Sequence, residues 1–309
     1  MDYRQQIISA RDGYPLAAHV FDIPRPGAAV LCIHGMEEHQ GRYVPFASFL
    51  RDQGFAVVTS DLRGHGESAP VLSHIADHDG DRLLLGDEES ILSWIKSQYP
   101  GAPTVLFGHS MGTIIARAFL KTHSGDFSRV ILSGYPNPQS AAKSGASLVR
   151  VLAAVKGVKG HSKLIDKMVL GGFSKAVPNA ETPLDWLSFD RENVRRYAAD
   201  PLCGVPFTLG SYDALFRLIM AIDSPAGVQQ VNPDLPILLI SGREDPCTGG
   251  EKGRADSIDR LTRAGFRNLR VETIDGMRHE ILNEKDHAMV FRLIADFLRE
   301  LPGTAPAPC

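Results

Sequence analysis

Ser110, Asp245 and His279 are the three residue types that together can make a serine hydroxyl nucleophilic, and each stands just beyond an apolar run. Ser110 lies in Gly108-His109-Ser110-Met111-Gly112. Val105, Leu106 and Phe107 precede it, and a helical pattern of Ile114, Ile115, Ala118 and Phe119 follows at once. A serine on such a strand-to-helix turn projects its Oγ toward substrate, at the cost of strained dihedrals and crowding of strand against helix. Gly108 and Gly112, lacking Cβ atoms, relieve that crowding. The N–H groups that open the helix can serve a developing oxyanion. The plainer reading is a serine that only caps a helix.

His279 follows the apolar run 269–274 across a loop long enough to reach back over a sheet edge. As a base it would take the serine proton and return it to the leaving group. It could instead merely cap the next helix. His287, the other histidine late in the chain, falls inside the last predicted helix. Asp245 ends Ser241-Gly242-Arg243-Glu244-Asp245, after the run 236–240. A buried carboxylate on the second imidazole nitrogen fixes the tautomer and stabilises the imidazolium. Arg-Glu-Asp-Pro is also turn-like, and Glu244 and Asp275 are the alternative carboxylates.

These residues need a scaffold that gathers strand ends. Runs 6–10 and 16–21 flank Asp12-Gly13 and predict a hairpin. Strands are expected at 28–33, 55–59, 105–107, 130–132, 236–240 and 269–274. Helices are expected at about 43–50, 81–98, 251–264 and 285–301, and directly after Ser110. Alternating strands and helices imply a parallel sheet. In such sheets ligands bind beyond the carboxyl ends of the strands, where His34-Gly35-Met36, Ser110, Asp245 and His279 all fall. The rhythm breaks between 135 and 231. Leu148, Val149, Val151, Leu152 and Val155 recur at helical spacing, as do Leu164, Ile165, Met168 and Val169, and residues 215–222. The expected organisation is a core of 1–134 and 232–303, a helical cap of 135–231, and a flexible tail of 304–309.

Composition narrows the partners. The net charge of −3 offers no basic face for nucleic acid. The first residues lack an apolar signal core, and no run is long enough to cross a bilayer. The four cysteines, Cys32, Cys203, Cys247 and Cys309, have no paired metal spacing and read as reduced thiols. Position 283, where a zinc helix beginning at His279-Glu280 would need histidine, is Asn283. A cytoplasmic protein, peripheral to membranes at most, without metal or cofactor, is the expectation.

The chain order Ser, Asp, His matches the α/β-hydrolase fold. The finer pattern resembles the monoacylglycerol lipase and lysophospholipase group of serine hydrolases. Four segments carry it: His34-Gly35-Met36-Glu37-Glu38-His39 with Arg42-Tyr43, the stretch Asp61-Leu62-Arg63-Gly64-His65-Gly66-Glu67-Ser68, Gly108 to Gly112, and His279-Glu280-Ile281-Leu282-Asn283-Glu284. The resemblance implies a mostly parallel sheet flanked by helices, an acyl-enzyme route, and an oxyanion hole made by the backbone N–H groups of Met36 and Met111. It implies single-chain glyceride or lysolipid esters as substrates. Small-acyl carboxylesterase, amidase or aminopeptidase activity on the same scaffold, and a non-catalytic binding protein, are the alternatives. Leu148, Leu152, Met168 and Phe216 are the expected acyl-chain contacts, with the plainer reading that such residues pack the cap. Arg63, His65 and Glu67 are expected to hold their loop. Glu38, His39 and Arg42 are expected to brace the oxyanion loop. Cys247 is near the proposed acid, and an inert thiol is the preferred reading.

Overall fold

A computed structural model describes residues 3–137, 142–224 and 231–301. The expected tail at 304–309, with Cys309, lies outside the described residues. The hairpin forms as strands β1, Arg4–Ser9, and β2, Pro15–Phe21. The alternating region follows: β3, Ala29–Ile33; α1, Val44–Asp52; β4, Ala56–Ser60; α2, Gly80–Gln98; β5, Thr104–His109; α3, Met111–His123; and β6, Arg129–Ser133. Five helices come next: α4, Ala142–Lys156; α5, Lys163–Val169; α6, Gly171–Lys175; α7, Arg191–Ala199; and α8, Leu209–Asp223. The chain closes with β7, Ile237–Gly242; α9, Gly250–Arg263; β8, Leu269–Ile274; and α10, His287–Arg299.

One eight-stranded sheet runs in the order β1-β2-β4-β3-β5-β6-β7-β8. The pairs β1–β2 and β2–β4 are antiparallel; every later pair is parallel. This is the α/β-hydrolase architecture. Strands β3 to β7 are buried along their whole length, which suits continuous apolar runs covered on both faces. Alternate side chains serve the two faces. Leu31 and Ile33 join a core with Ile91 of α2, Ile115 of α3 and Phe216 of α8. Val30 and Cys32 join the opposite core with Phe46 of α1 and Ile294 of α10.

The inserted helices do not build a large core of their own. Most buried apolar residues of α4 and α8 belong to the same cluster as the sheet, leaving, among the described residues, a small satellite of Leu187, Tyr197 and Cys203. Helices α6 and α7 went unread in the sequence. Helix α6 spans five residues, none of them buried. In α7 only Asn193, Val194 and Tyr197 are buried, too sparse an apolar stripe to show a period; the Asp190 carboxylate caps it by accepting from the Glu192 N–H.

Candidate active site

Ser110 sits between β5 and α3 with φ 51 and ψ −120, a left-handed backbone rarely held by a residue with a side chain. Its N–H donates to the Ser133 carbonyl at 2.9 Å, which pins the turn to β6. The turn is possible because two backbones nearly touch. A Cβ on Gly112 would stand 2.3 Å from the Ile33 carbonyl oxygen, and one on Gly108 would stand 2.7 Å from the Gly112 oxygen. Only glycine fits that approach.

The His279 loop brings imidazole Nε2 within 2.8 Å of the Ser110 Oγ. Its Nδ1 lies 3.0 Å from Asp245 Oδ2. Asp245 is buried, and its other oxygen accepts from the Cys247 N–H at 2.9 Å. Both ring nitrogens of His279 are thereby engaged in the order a proton relay requires. Burial disfavours the imidazolium, but the Asp245 charge and hydrogen bond outweigh it and raise the pKa of His279 above its ordinary 6.5. Glu244 is exposed, and Asp275 is an exposed partner of Arg243. Neither alternative carboxylate approaches the imidazole.

Met111 occupies the first position of α3, where an N–H has no partner within the helix. Met36 lies in the turn after β3. Among the described residues no hydrogen bond to a protein acceptor is found for either amide, and both residues line the cavity above Ser110. Glu38 fixes that turn: its carboxylate accepts from the Gly35 N–H at 2.6 Å and the Tyr43 hydroxyl at 2.7 Å. Arg42 bridges Glu38 to Glu280 through paired guanidinium hydrogen bonds, one of them 2.7 Å long. Although burial opposes the Glu38 charge, Arg42 holds its carboxyl down to about 2. Glu280 also accepts from Asn193 Nδ2 at 2.6 Å, and Arg42 lies over the Tyr197 ring. The brace therefore joins the turn of Met36, the histidine loop and α7. His39 contributes through Asp200, 2.9 Å away.

A cavity of about 490 Å³ opens over Ser110 and His279, within the range of small-molecule sites. Met168 and Phe216 line it, together with Leu170, Phe173, Leu215 and Ile219. Leu148 and Leu152, expected to contact an acyl chain, are not among the lining residues; they lean on the sheet-side core. They obey the helical period of α4, but it is Ala142 of that helix that reaches the cavity lining. Cys247 lines the cavity as a free, buried thiol, pushed well above its ordinary pKa by burial. Arg63 does hold its loop, through Asp87 Oδ2 at 2.6 Å and Asp12 Oδ2 at 3.0 Å.

Sequence reasoning missed Trp186, whose ring packs 4.9 Å from the His279 ring. It also missed Glu284, which accepts from the N–H groups of Phe189, Asp190 and Arg278. Trp186 is one of two tryptophans in the chain, and that scarcity was the one available signal.

Known proteins are similar to this chain along most of its length. The family described as serine aminopeptidase, S33 (Hydrolase_4) matches residues 24–286. A monoacylglycerol lipase of Mycolicibacterium smegmatis is 28% identical over 269 residues, covering 86% of this chain and 85% of that protein. A monoglyceride lipase of Rattus norvegicus is 30% identical over 231 residues, covering 71% of this chain and 66% of that one. A thermostable carboxyl esterase from Bacillus coagulans, solved in complex with glycerol, aligns with a TM-score of 0.88 at 25% identity, over 97% of this chain and 99% of that one.

Proposed function

Because this chain belongs to the serine aminopeptidase, S33 family of hydrolases, we propose that it cleaves carboxylic esters through an acyl-enzyme on Ser110. The observation that carries the reading is the unbroken Ser110–His279–Asp245 hydrogen-bond chain at the base of a mostly apolar cavity. His279 takes the Ser110 proton as Oγ attacks the ester carbonyl. The N–H groups of Met36 and Met111 receive the developing oxyanion. His279 then protonates the leaving alcohol, and water repeats the sequence to release the acid.

The substrate class we favour is a single-chain lipid ester of the monoacylglycerol or lysophospholipid type. Met168, Leu170, Leu215, Phe216 and Ile219 offer an aliphatic chain an apolar lining, and relatives along most of the chain are monoacylglycerol lipases. The family description raises peptide cleavage as a second reading. A free α-amine would need an uncommitted, ionised carboxylate: Glu38 and Glu280 are both committed to Arg42, and burial pushes Glu37, the third glutamate lining the cavity, up to about 8, so that it is mostly uncharged at neutral pH. We further propose that the inserted helices meet a lipid surface, since α4 and α5 expose Val151, Val155 and Leu164. No described helix is long and apolar enough to cross a membrane.

The test is a chain-length series with a nucleophile control. Each buried methylene is worth about 0.8 kcal/mol, so two carbons should raise kcat/KM up to roughly tenfold until the cavity fills. We expect p-nitrophenyl octanoate to exceed butyrate, and butyrate to exceed acetate. Ser110→Ala should lower every rate by about three to six orders of magnitude and abolish fluorophosphonate labelling. A maximum at acetate would remove the lipid reading; faster turnover of alanine p-nitroanilide would favour peptides.

A further inference from the structure

Glu37 follows Met36 directly and lines the same cavity. It is 8% exposed, and its backbone is held at φ 56, where a residue with a side chain is uncommon. That backbone is fixed from outside: the Glu37 carbonyl accepts from the Tyr197 hydroxyl at 2.8 Å and the Gly204 N–H at 2.9 Å. Of the three glutamates lining the cavity, Glu38 and Glu280 pair with Arg42. Glu37 is in no ion pair among the described residues. The groups that face it are the Asp166 carboxyl of α5, the phenols of Tyr197 in α7 and Tyr212 in α8, and the Phe207 main-chain N–H. The Tyr212 hydroxyl is itself donated to Asp166 at 2.8 Å.

We propose that Glu37 determines specificity for the alcohol portion of the ester, hydrogen-bonding a hydroxyl of a neutral polyol head group and rejecting head groups that carry negative charge. The inference rests on the ester reading above and narrows it to the monoacylglycerol type, since a lysophospholipid carries a phosphate. An aliphatic acyl chain has no polar atom to meet a buried carboxyl, leaving the Phe207 N–H to offset its desolvation. A glycerol-type alcohol places hydroxyls one or two carbons from the ester oxygen. The residue next to the Met36 N–H, one Cα–Cα step of about 3.8 Å away, is within reach of such groups. Burial, reinforced by the Asp166 charge, pushes the Glu37 carboxyl up to about 8. At neutral pH it is therefore mostly protonated, able both to donate and to accept. As it ionises it becomes an acceptor only, and repels an anion more strongly.

The experiment compares kcat/KM for mono-octanoylglycerol and methyl octanoate, which share one acyl chain, below their critical micelle concentrations. General damage to the fold lowers both and cancels in the ratio. We expect a ratio of at least tenfold in the wild type, kept within threefold in Glu37→Gln and brought near unity in Glu37→Leu. A second arm uses O-octanoylglycolate, anionic throughout the pH range tested. Relative to methyl octanoate its kcat/KM should fall by a further threefold or more from pH 7 to 9 in the wild type and stay flat in Glu37→Gln, which holds the test open should the leucine variant not fold. An unchanged ratio in Glu37→Leu, or equal loss on both neutral substrates, overturns the proposal. So does a preference for octanoylcholine that Glu37→Gln removes, which would make Glu37 a cation site. Wild-type protein that leaves methyl octanoate intact would instead refute the ester reading itself, and this one with it.

Discussion

In the proposed mechanism the protonation state of His279 decides when Ser110 can react. A general base works only while neutral, and the Asp245 charge raises the His279 pKa above 6.5. Activity should therefore be complete on the alkaline side and lost as pH falls through that raised value. Asp245→Asn removes the carboxylate that favours the imidazolium, so the acid limb should move to lower pH. The rate on the plateau should drop by about four orders of magnitude, because the amide can hold the wrong tautomer. A kcat/KM profile from pH 5 to 9 reads both effects. Full plateau activity in Asp245→Asn, with the loss appearing in Glu244→Gln, would reassign the acid. The three side chains were legible in the sequence because each is tied to the end of an apolar strand run. Trp186 and Glu37 were not. What defines them is a neighbour brought in by folding, such as the His279 ring packed against Trp186, and no local pattern records that.

At the level of elements, what holds the site in register is the contact between turns rather than the sheet alone. Arg42 precedes α1, yet it bonds Glu280 of the histidine loop and Asn193 of α7. Its guanidinium neutralises two buried carboxylates at once. Arg42→Met would leave Glu38 and Glu280 buried without a counter-charge, an error worth about 3–5 kcal/mol where one partner of a buried pair is removed. For a chain of this size that is a fall in Tm on the order of 10 °C. Thermal unfolding of Arg42→Met and Arg42→Lys checks it, with lysine, a single point charge, recovering only part of the loss. A shift under 2 °C in Arg42→Met would mean that water already serves those carboxylates. The strands of the sheet could be read in advance because burial on both faces demands unbroken apolar runs, as in Val30-Leu31-Cys32-Ile33. The hairpin was legible from Asp12-Gly13. Helices α6 and α7 were not, because α6 buries no residue and α7 is tied through Asn193 to Glu280 of the histidine loop rather than by a long apolar stripe. Leu148 and Leu152, expected as acyl contacts, are not among the cavity-lining residues, since period alone does not say which neighbour a face meets.

Over the whole molecule charge is unevenly spread. Residues 142–177 contain six lysines and Arg150 against the single acid Asp166, in a chain whose net charge is −3. All six lysines are exposed, and they share the surface with Val155, which is 83% exposed. Met168 belongs both to that surface and to the cavity lining, so a lipid held there borders the site. Each lysine close to an anionic bilayer contributes about 1 kcal/mol at moderate salt, while the negative remainder of the molecule is repelled. The two together should orient the inserted helices toward the bilayer and the sheet away from it. Screening shortens this attraction to about 10 Å at 0.1 M salt. Co-sedimentation with vesicles should therefore show binding to 7:3 phosphatidylcholine–phosphatidylglycerol at least tenfold tighter than to phosphatidylcholine alone at 50 mM NaCl, and little difference at 500 mM. Replacing Lys156, Lys159, Lys163 and Lys167 by Gln should remove the preference for anionic vesicles, whereas Val155→Ser with Leu164→Ser should weaken binding to both kinds alike. Equal binding of the wild type to the two vesicle types at low salt would show that the basic face is only a solvated surface, and would leave the apolar side chains as the sole support for contact with lipid.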